Sequence, residues 1–377
     1  MITERVRTFL DRERPPSPCL VLDLEVVREK YLSYAKALPD SKVYYAVKAN
    51  PDPAILKLLV ELGSCFDTAA VTEIEAVLAA GTVAENISYG NTIKKERDIA
   101  RAFALGVRLF AVDAIDEVNK IARAAPGVKV FCRILSDGIG AEWPLSRKCG
   151  CDANMAISLL EHAHRCGLVA AGISFHVGSQ QPNPEAWDSA LRTTALIFRE
   201  LSERGIELVL INLGGGFPAR YMKSVPTASA YGAAITHSLR RHFGNHIPQT
   251  IIEPGRGLVG DAGVIKAEVV LVSRKSADDP QRWVYLDIGK FGGLAETMDE
   301  AIRYPIRTLR DGDRTGPCVI AGPTCDSADV LYEKTPYDLP VSLEIGDEVL
   351  IEAAGAYTTT YSSVGFNGFP PLKSYIV

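Results

Sequence analysis

Lys42-Val43-Tyr44-Tyr45-Ala46-Val47-Lys48-Ala49-Asn50-Pro51 is the stretch from which the fold can be read. Its β-branched and aromatic residues read as a buried strand. That strand delivers a lysine, and Asn50-Pro51 stops it at once. A lysine at a strand end is, taken alone, a solvated surface group in most proteins. Lys48 gains meaning only if the rest of the chain builds a site around it.

Outward from this strand the sequence alternates. Apolar runs at 43–47, 65–68, 87–90, 109–112, 128–134, 169–176, 208–213 and 250–253 are separated by helical periodicity. The helical stretches are 54–62, 72–80, 95–105, 115–124, 155–166, 187–204 and 228–241. Eight strands, each followed by a helix until the last, imply a parallel sheet, and the count points to closure into a (β/α)8 barrel. An open doubly wound sheet is the competing architecture, but no G-x-G-x-x-G follows the first strand.

After Pro254 the texture changes. Residues 264–273, 282–288, 317–321 and 348–353 are β-rich runs between turns, with one helical patch at 294–303. Before the barrel, a polar lead-in is punctuated by Pro15-Pro16-Ser17-Pro18, Cys19–Leu22 reads as a short strand, and Asp23 can cap a helix from Leu24 to Ala37. The expected organisation is a barrel over 24–257 and a smaller, mainly β domain, sandwich- or barrel-like, made of 1–23 and 258–377. The Cys19–Leu22 strand is expected to join the β domain, since the barrel already has its eight.

Composition excludes several classes. With 47% hydrophobic and 23% charged residues the chain has a globular profile, and a net charge of -5 argues against a nucleic-acid footprint. No apolar run reaches the roughly 18 residues a membrane span needs, and Met1-Ile2-Thr3-Glu4-Arg5 has no signal-peptide pattern. Eight cysteines in 377 residues are too sparse for a disulfide scaffold. Cys149 and Cys151, the one close pair, lack the flanking ligands of a zinc site. Reduced thiols in a cytoplasmic protein without a metal are the expectation.

Barrel enzymes place their sites at the C-terminal ends of the strands. Here the first strand ends at Lys48 and the second at Asp67, and the third leads into Gly90-Asn91. The fifth carries Arg133 and the sixth ends in Phe175-His176-Val177-Gly178-Ser179. The seventh ends in Gly214-Gly215-Gly216, and the eighth in Glu253-Pro254-Gly255-Arg256-Gly257. So many polar ends are hard to attribute to solvated loops. Loops after strands seven and eight are where such barrels bind phosphate through bare backbone N–H groups, and both loops here are glycine-rich. A phosphate-bearing ligand facing a lysine, a histidine and a carboxylate matches the needs of pyridoxal phosphate (PLP). A lysine amine can condense with its aldehyde, a flat His176 can lie against its ring, and Glu253 can keep the ring nitrogen protonated.

With these residues in view, the chain resembles the barrel-type PLP-dependent ornithine/diaminopimelate decarboxylase family over roughly residues 17 to 370. Ala46-Val47-Lys48-Ala49-Asn50 resembles the family's cofactor-lysine motif, and Phe66-Asp67-Thr68-Ala69 with Thr72-Glu73 its next block. Ser174-Phe175-His176-Val177-Gly178-Ser179 resembles the ring-stacking histidine with a phosphate-binding serine. Gly214-Gly215-Gly216-Phe217 and Glu253-Pro254-Gly255-Arg256 resemble the phosphate loop and the ring-nitrogen glutamate. Gly322-Pro323-Thr324-Cys325-Asp326-Ser327 resembles the block that crosses into the partner of a homodimer. The resemblance implies that Cys325 reprotonates the substrate there and that Asp326 contacts it. Gly355-Ala356-Tyr357 resembles the family's phosphate-binding tyrosine.

Members of this family differ at the far end of the substrate. A diaminopimelate enzyme needs cations there, whereas an ornithine or lysine enzyme needs an acid for the distal ammonium. Glu296, Asp299 and Glu300, at i, i+3 and i+4, are expected to share a helical face, with Glu296 the first candidate. The expected activity is ornithine decarboxylation to putrescine, with lysine or dual use as the alternative. A diaminopimelate decarboxylase, a barrel-type racemase and a non-catalytic regulatory homologue are the remaining rivals.

Overall fold

A computed structural model describes residues 2–143 and 147–377. The chain falls into two compact units. One comprises Arg28–Pro218 and Val225–Leu258, and the other the N-terminal segment through Val27 with Ala219–Ser224 and Val259–Val377.

The chain opens with α1 (Glu4–Glu13), β1 (Cys19–Leu22) and α2 (Leu24–Ala37). Eight strands then build the first unit. They are β2 (Ser41–Ala46), β3 (Cys65–Thr68), β4 (Ile87–Tyr89), β5 (Leu109–Val112), β6 (Lys129–Arg133), β7 (Val169–Ser174), β8 (Leu210–Asn212) and β9 (Gln249–Ile252). Between them run α3 (Pro53–Glu61), α4 (Val71–Ala79), α5 (Glu96–Ala104), α6 (Ile115–Ala124), α7 (Ala153–Arg165), α8 (Trp187–Glu203) and α9 (Ala228–Phe243). Neighbouring strands are parallel, and β2 pairs with β9 from Ser41↔Thr250 to Val43↔Ile252, which closes the barrel. All eight apolar runs became barrel strands. Tyr44, Cys65, Ala111, Phe131, Leu210 and Ile251 form one buried cluster, so alternate strand residues fill the barrel as a packed core rather than line a pore. Their burial leaves only the strand ends free for chemistry.

The second unit holds a single eight-stranded sheet. Its further strands are β10 (Gly263–Ser273), β11 (Arg282–Leu286), β12 (Ile306–Thr308), β13 (Thr315–Ala321), β14 (Val330–Pro340), β15 (Glu348–Ile351) and β16 (Lys373–Ile376). The order is β12-β15-β10-β11-β13-β14, with β1 antiparallel to β10 and parallel to β16. The Cys19–Leu22 strand therefore joins the β unit. Asp23 accepts the Glu25 N–H at 3.0 Å and also receives Thr3 and Arg5.

Local physics accounts for the departures from the sequence reading. The polar lead-in is α1, capped by the Thr3 hydroxyl, which accepts the Val6 N–H at 3.3 Å. Its few apolar residues, Val6, Phe9 and Leu10, pack on Cys19, Val21 and Val264, a pattern that the surrounding charges mask. Strand β14 went unread because Glu333-Lys334-Thr335-Pro336 interrupts it. It lies at the sheet edge, where a proline is tolerated. Its register with β13 shifts between the Cys318↔Tyr337 and Ile320↔Tyr332 pairs, so this polar stretch bulges out of the ladder.

Among the described residues no helix is long and apolar enough to cross a membrane.

Candidate active site

Strand β2 stops at Ala46, two residues short of the lysine. Val47–Ala49 is a 3-10 turn, closed by the Asn50 N–H on the Val47 carbonyl at 3.1 Å. Val47 and Ala49 are buried while Lys48 is exposed, so the turn anchors itself in the barrel and lifts the amine out of it. The Lys48 charge bears on Asp67, Glu73, Glu253 and His176, which sets it among residues from three other strand ends and the first turn of α4.

Strand register explains the company it keeps. Ala46, Asp67 and Ser88 are successive partners across β2, β3 and β4. The Ser88 hydroxyl donates to Asp67 Oδ1 at 3.2 Å. Gly90, just past β4, leaves room for that carboxylate: a Cβ there would lie 1.9 Å from Asp67 Oδ1. Burial, then the nearby Glu253 charge, pushes the Asp67 carboxyl well above the usual carboxylate range, against the pull of Lys48. Glu73, in the first turn of α4, accepts the Ala69 N–H at 2.6 Å and is raised by burial.

His176 follows β7. Its Nδ1 accepts the Gly178 N–H at 3.0 Å, so the one proton of the neutral ring sits on Nε2. His176 is half-buried, and its surroundings desolvate the ring. That desolvation, with Arg133, Lys48 and Arg256 nearby, drives its pKa well below the ordinary value. The imidazole is therefore neutral. Glu253, just past β9, is partly exposed to the same mouth and is raised above the usual range by desolvation. The Asn212 amide, Lys48 and Arg133 oppose that rise.

The glycine loop after β8 is shaped by close approach. Gly214 adopts φ +67°, and a Cβ on it would sit 1.9 Å from the Phe175 carbonyl oxygen; only glycine fits. Gly215 and Gly216 continue the loop, and a Cβ on Gly215 would meet the Glu253 carbonyl at 2.7 Å. Gly255 packs against Ala46 and Ala49 beside the Lys48 turn. Arg256, 3% exposed, donates through Nη2 to the Ser179 hydroxyl at 3.2 Å.

The barrel unit thus brings together Lys48, Asp67, Arg133, His176, Ser179, Gly214, Gly215, Gly216, Glu253, Gly255 and Arg256. The other candidates lie in the β unit. Cys325 and Asp326 are exposed on the loop after β13, with the Cys325 N–H held by Asn367 Oδ1 at 2.9 Å. Tyr357 is half-buried at φ +62°, a conformation that costs a bulky residue energy.

The acidic segment does not form the expected helix. Ala295–Glu300 is a 3-10 stretch broken at Met298 and at Asp299, which has φ +53°. Glu296 is 5% exposed. Asp299 is exposed and pairs with Lys334 at 3.2 Å. Glu300 accepts the N–H groups of Glu333 at 2.8 Å, Lys334 at 2.5 Å and Thr335 at 3.0 Å. Those amides belong to the bulged part of β14, where the ladder leaves them without a strand partner. Satisfying them from Glu300 outweighs the local helix propensity, and the three acids diverge.

Sequence reasoning assigned no role to Asn212 or Ser88. Asn212 was detectable as a polar residue inside the otherwise apolar Leu210–Leu213 run. Ser88 carried no signal of its own.

The donor set fits pyridoxal phosphate: an amine for the aldehyde, a neutral flat ring, a carboxylate for the ring nitrogen, and an arginine, a serine hydroxyl and a glycine loop for the phosphate. A closed (β/α)8 barrel with these groups at its strand ends defines a PLP-dependent enzyme. The pyridoxal-binding domain of the pyridoxal-dependent decarboxylases matches residues 24–260, and the chain belongs to that family. It is 36% identical to a lysine/ornithine decarboxylase of Selenomonas ruminantium over 95% of this chain and 88% of that one. It is 33% identical to an ornithine decarboxylase of Schizosaccharomyces pombe over 93% and 81%. A lysine/ornithine decarboxylase of Vibrio vulnificus solved with cadaverine superposes with a TM-score of 0.89 at 30% identity, covering 100% of both chains.

Proposed function

We propose that this chain decarboxylates a diamino acid, L-ornithine to putrescine and CO2 in the first place and lysine to cadaverine as the alternative. We further infer a cytoplasmic homodimer with shared active sites. The observation that carries the reading is the cluster of Lys48, neutral His176, Glu253 and the Arg256–Ser179 pair at one barrel mouth. The relatives' activities on lysine and ornithine support the substrate class.

Bound pyridoxal phosphate supplies an electron sink for the bond pair left when CO2 departs. Lys48 holds the cofactor through its amine and takes part in releasing the product. Glu253 would accept a hydrogen bond from the protonated ring nitrogen and so keep it protonated, Asp67 and Arg133 would set the charge around it, and His176 would lie against the ring without adding charge. Ser179, Gly214, Gly215, Gly216, Gly255, Arg256 and Tyr357 take the phosphate. Cys325, supplied by the partner subunit, returns a proton to the substrate Cα. Asp326 and Glu296, with Glu300 and Asp299 behind, bind the distal ammonium.

One observation supports the dimer and another the compartment. Cys325 and Asp326 are exposed, and their loop is held by Asn367 beside exposed Tyr361, Val364, Phe366 and Phe369. Apolar surface of that kind marks an interaction face. All eight cysteines are free thiols, in keeping with a reducing compartment.

Purified protein with PLP, given ornithine, lysine, arginine and diaminopimelate in parallel, tests the reading through CO2 and amine release. Putrescine or cadaverine is expected; turnover of diaminopimelate alone, or racemisation without CO2, overturns it. Mixing inactive Lys48→Ala and Cys325→Ala subunits is expected to restore about a quarter of the sites by random pairing, and no recovery contradicts sharing.

A further inference from the structure

We infer that Asn212 is a positioning residue for cofactor binding: its side-chain amide aims the Glu253 carboxylate and ties it to the glycine loop. The inference rests on the reading that PLP places its ring nitrogen at Glu253 and its phosphate at Gly214–Gly216.

Asn212 is the last residue of β8 and fully buried. Its side chain has two different ends, and both are used. The oxygen Oδ1 accepts the Gly214 N–H at 2.9 Å. Gly214 N–H can only donate, so this bond fixes the amide orientation and turns Nδ2 outward. Nδ2 donates to Glu253 Oε1. Glu253 in turn donates its backbone N–H to the Gly214 carbonyl at 2.8 Å. Asn212, Gly214 and Glu253 close a ring of hydrogen bonds that spans the ends of β8 and β9. A donor on Glu253 favours its charged form, which is the form able to hold a ring nitrogen protonated by accepting its N–H hydrogen bond. The same ring fixes the distance between that carboxylate and the loop assigned to the phosphate, so the two ends of one ligand are registered by one side chain.

The charged or titratable groups facing Glu253 are Lys48, Arg133, Asp67 and Tyr44. A substitution at 212 changes none of them. Asn212→Asp keeps an acceptor for Gly214 but exchanges the donor on Glu253 for a second carboxylate. Asn212→Ser keeps an acceptor, adds no charge and withdraws the long donor arm.

Apoproteins of the wild type, both variants, Glu253→Gln and the Asn212→Asp/Glu253→Gln double variant are titrated with PLP between roughly pH 6 and 9. Bound-cofactor absorbance and the dissociation constant are followed. In the wild type, binding is expected to weaken on the acid side as Glu253 takes a proton. That limb is expected to move up by about one pH unit in Asn212→Asp and by less in Asn212→Ser. Affinity for inorganic phosphate should stay within about twofold, because Gly214 keeps its acceptor. Glu253→Gln should lack the limb, and adding Asn212→Asp should change nothing further. Limbs in both 212 variants that superimpose on the wild type overturn the inference. A wild type that binds no PLP, or a limb that survives Glu253→Gln, overturns instead the reading on which it rests.

Discussion

Arg256 donates through Nη2 to the Ser179 hydroxyl at 3.2 Å, joining the loop after the last barrel strand to the loop after β7. With 3% of its surface exposed, Arg256 is a buried cation held at the mouth. A phosphate is the anion that this guanidinium and the glycine loop both suit. Arg256→Met is expected to weaken PLP binding at least tenfold, since a hydrogen bond to a charged group contributes about 1.5–3 kcal/mol. Ser179→Ala should cost less. Pyridoxal without its phosphate should bind both variants as it binds the wild type; equal losses for the two ligands would contradict the assignment.

Gly90 makes the Asp67 carboxylate possible where it stands. In Gly90→Ala the new Cβ would overlap Asp67 Oδ1 at 1.9 Å and approach Cγ at 2.8 Å, so the carboxyl must swing away from Ser88. Overpacking of this kind costs about 1–3 kcal/mol. The expected result is a folded protein with a modestly lower Tm and at least a tenfold lower kcat/KM. Unchanged kinetics would show that the position of Asp67 is immaterial.

Charge placement sets the pH behaviour of the apoprotein. Glu253 and Asp67 have raised pKa values in the folded state. The unfolded chain releases these protons near the ordinary range of about 4, while the folded chain holds them longer. Their contribution to stability is thus fully present below that range and is lost as pH rises through the folded values. His176, whose pKa is lowered, runs the other way: its contribution is complete above about 6.5 and is lost as pH falls through its folded value. Glu253→Gln removes one of the carboxylate terms. The Tm of that apo variant minus that of the wild type is therefore expected to grow as pH rises from about 5 to about 8. A difference that is flat or shrinks would count against the raised Glu253.

The three acids of the 296–300 segment now separate by their surroundings. Glu300 is committed to the amides of β14 and Asp299 to Lys334, whereas Glu296 is the buried one of the three. Glu296→Gln is expected to raise KM for ornithine and lysine by tenfold or more with a smaller change in kcat. Glu300→Gln is expected to lower Tm modestly, because the N–H groups of Glu333, Lys334 and Thr335 then meet a neutral acceptor instead of a carboxylate. Equal KM effects from Glu300→Gln, without loss of stability, would transfer the role to Glu300.

What could be read from the sequence followed the periodicities. The eight barrel strands and their order were legible because each is an apolar run of the right length, flanked by amphipathic helix. The strand-end residues were legible because a parallel barrel puts every such end on one side. Lys48 was misplaced by a small amount, since nothing in Ala46-Val47-Lys48 marks the change from strand to 3-10 turn. Helix α1 and strand β14 hid behind charged residues and a proline that only an edge or surface position accommodates. The acidic segment was misread for a different reason: its conformation is decided by amides more than thirty residues away on β14, which no local pattern records. Asn212 stood inside a recognised strand, but its role lies in two hydrogen bonds across loops.

Lys48 remains the centre of the account. Borohydride reduction of the protein with bound PLP, followed by peptide mapping, tests it most directly. The account predicts a single pyridoxyl group on the lysine of the Ala46–Asn50 segment and no labelling of Lys48→Ala. A pyridoxyl group on any other lysine, with Lys48 unmodified, would contradict it.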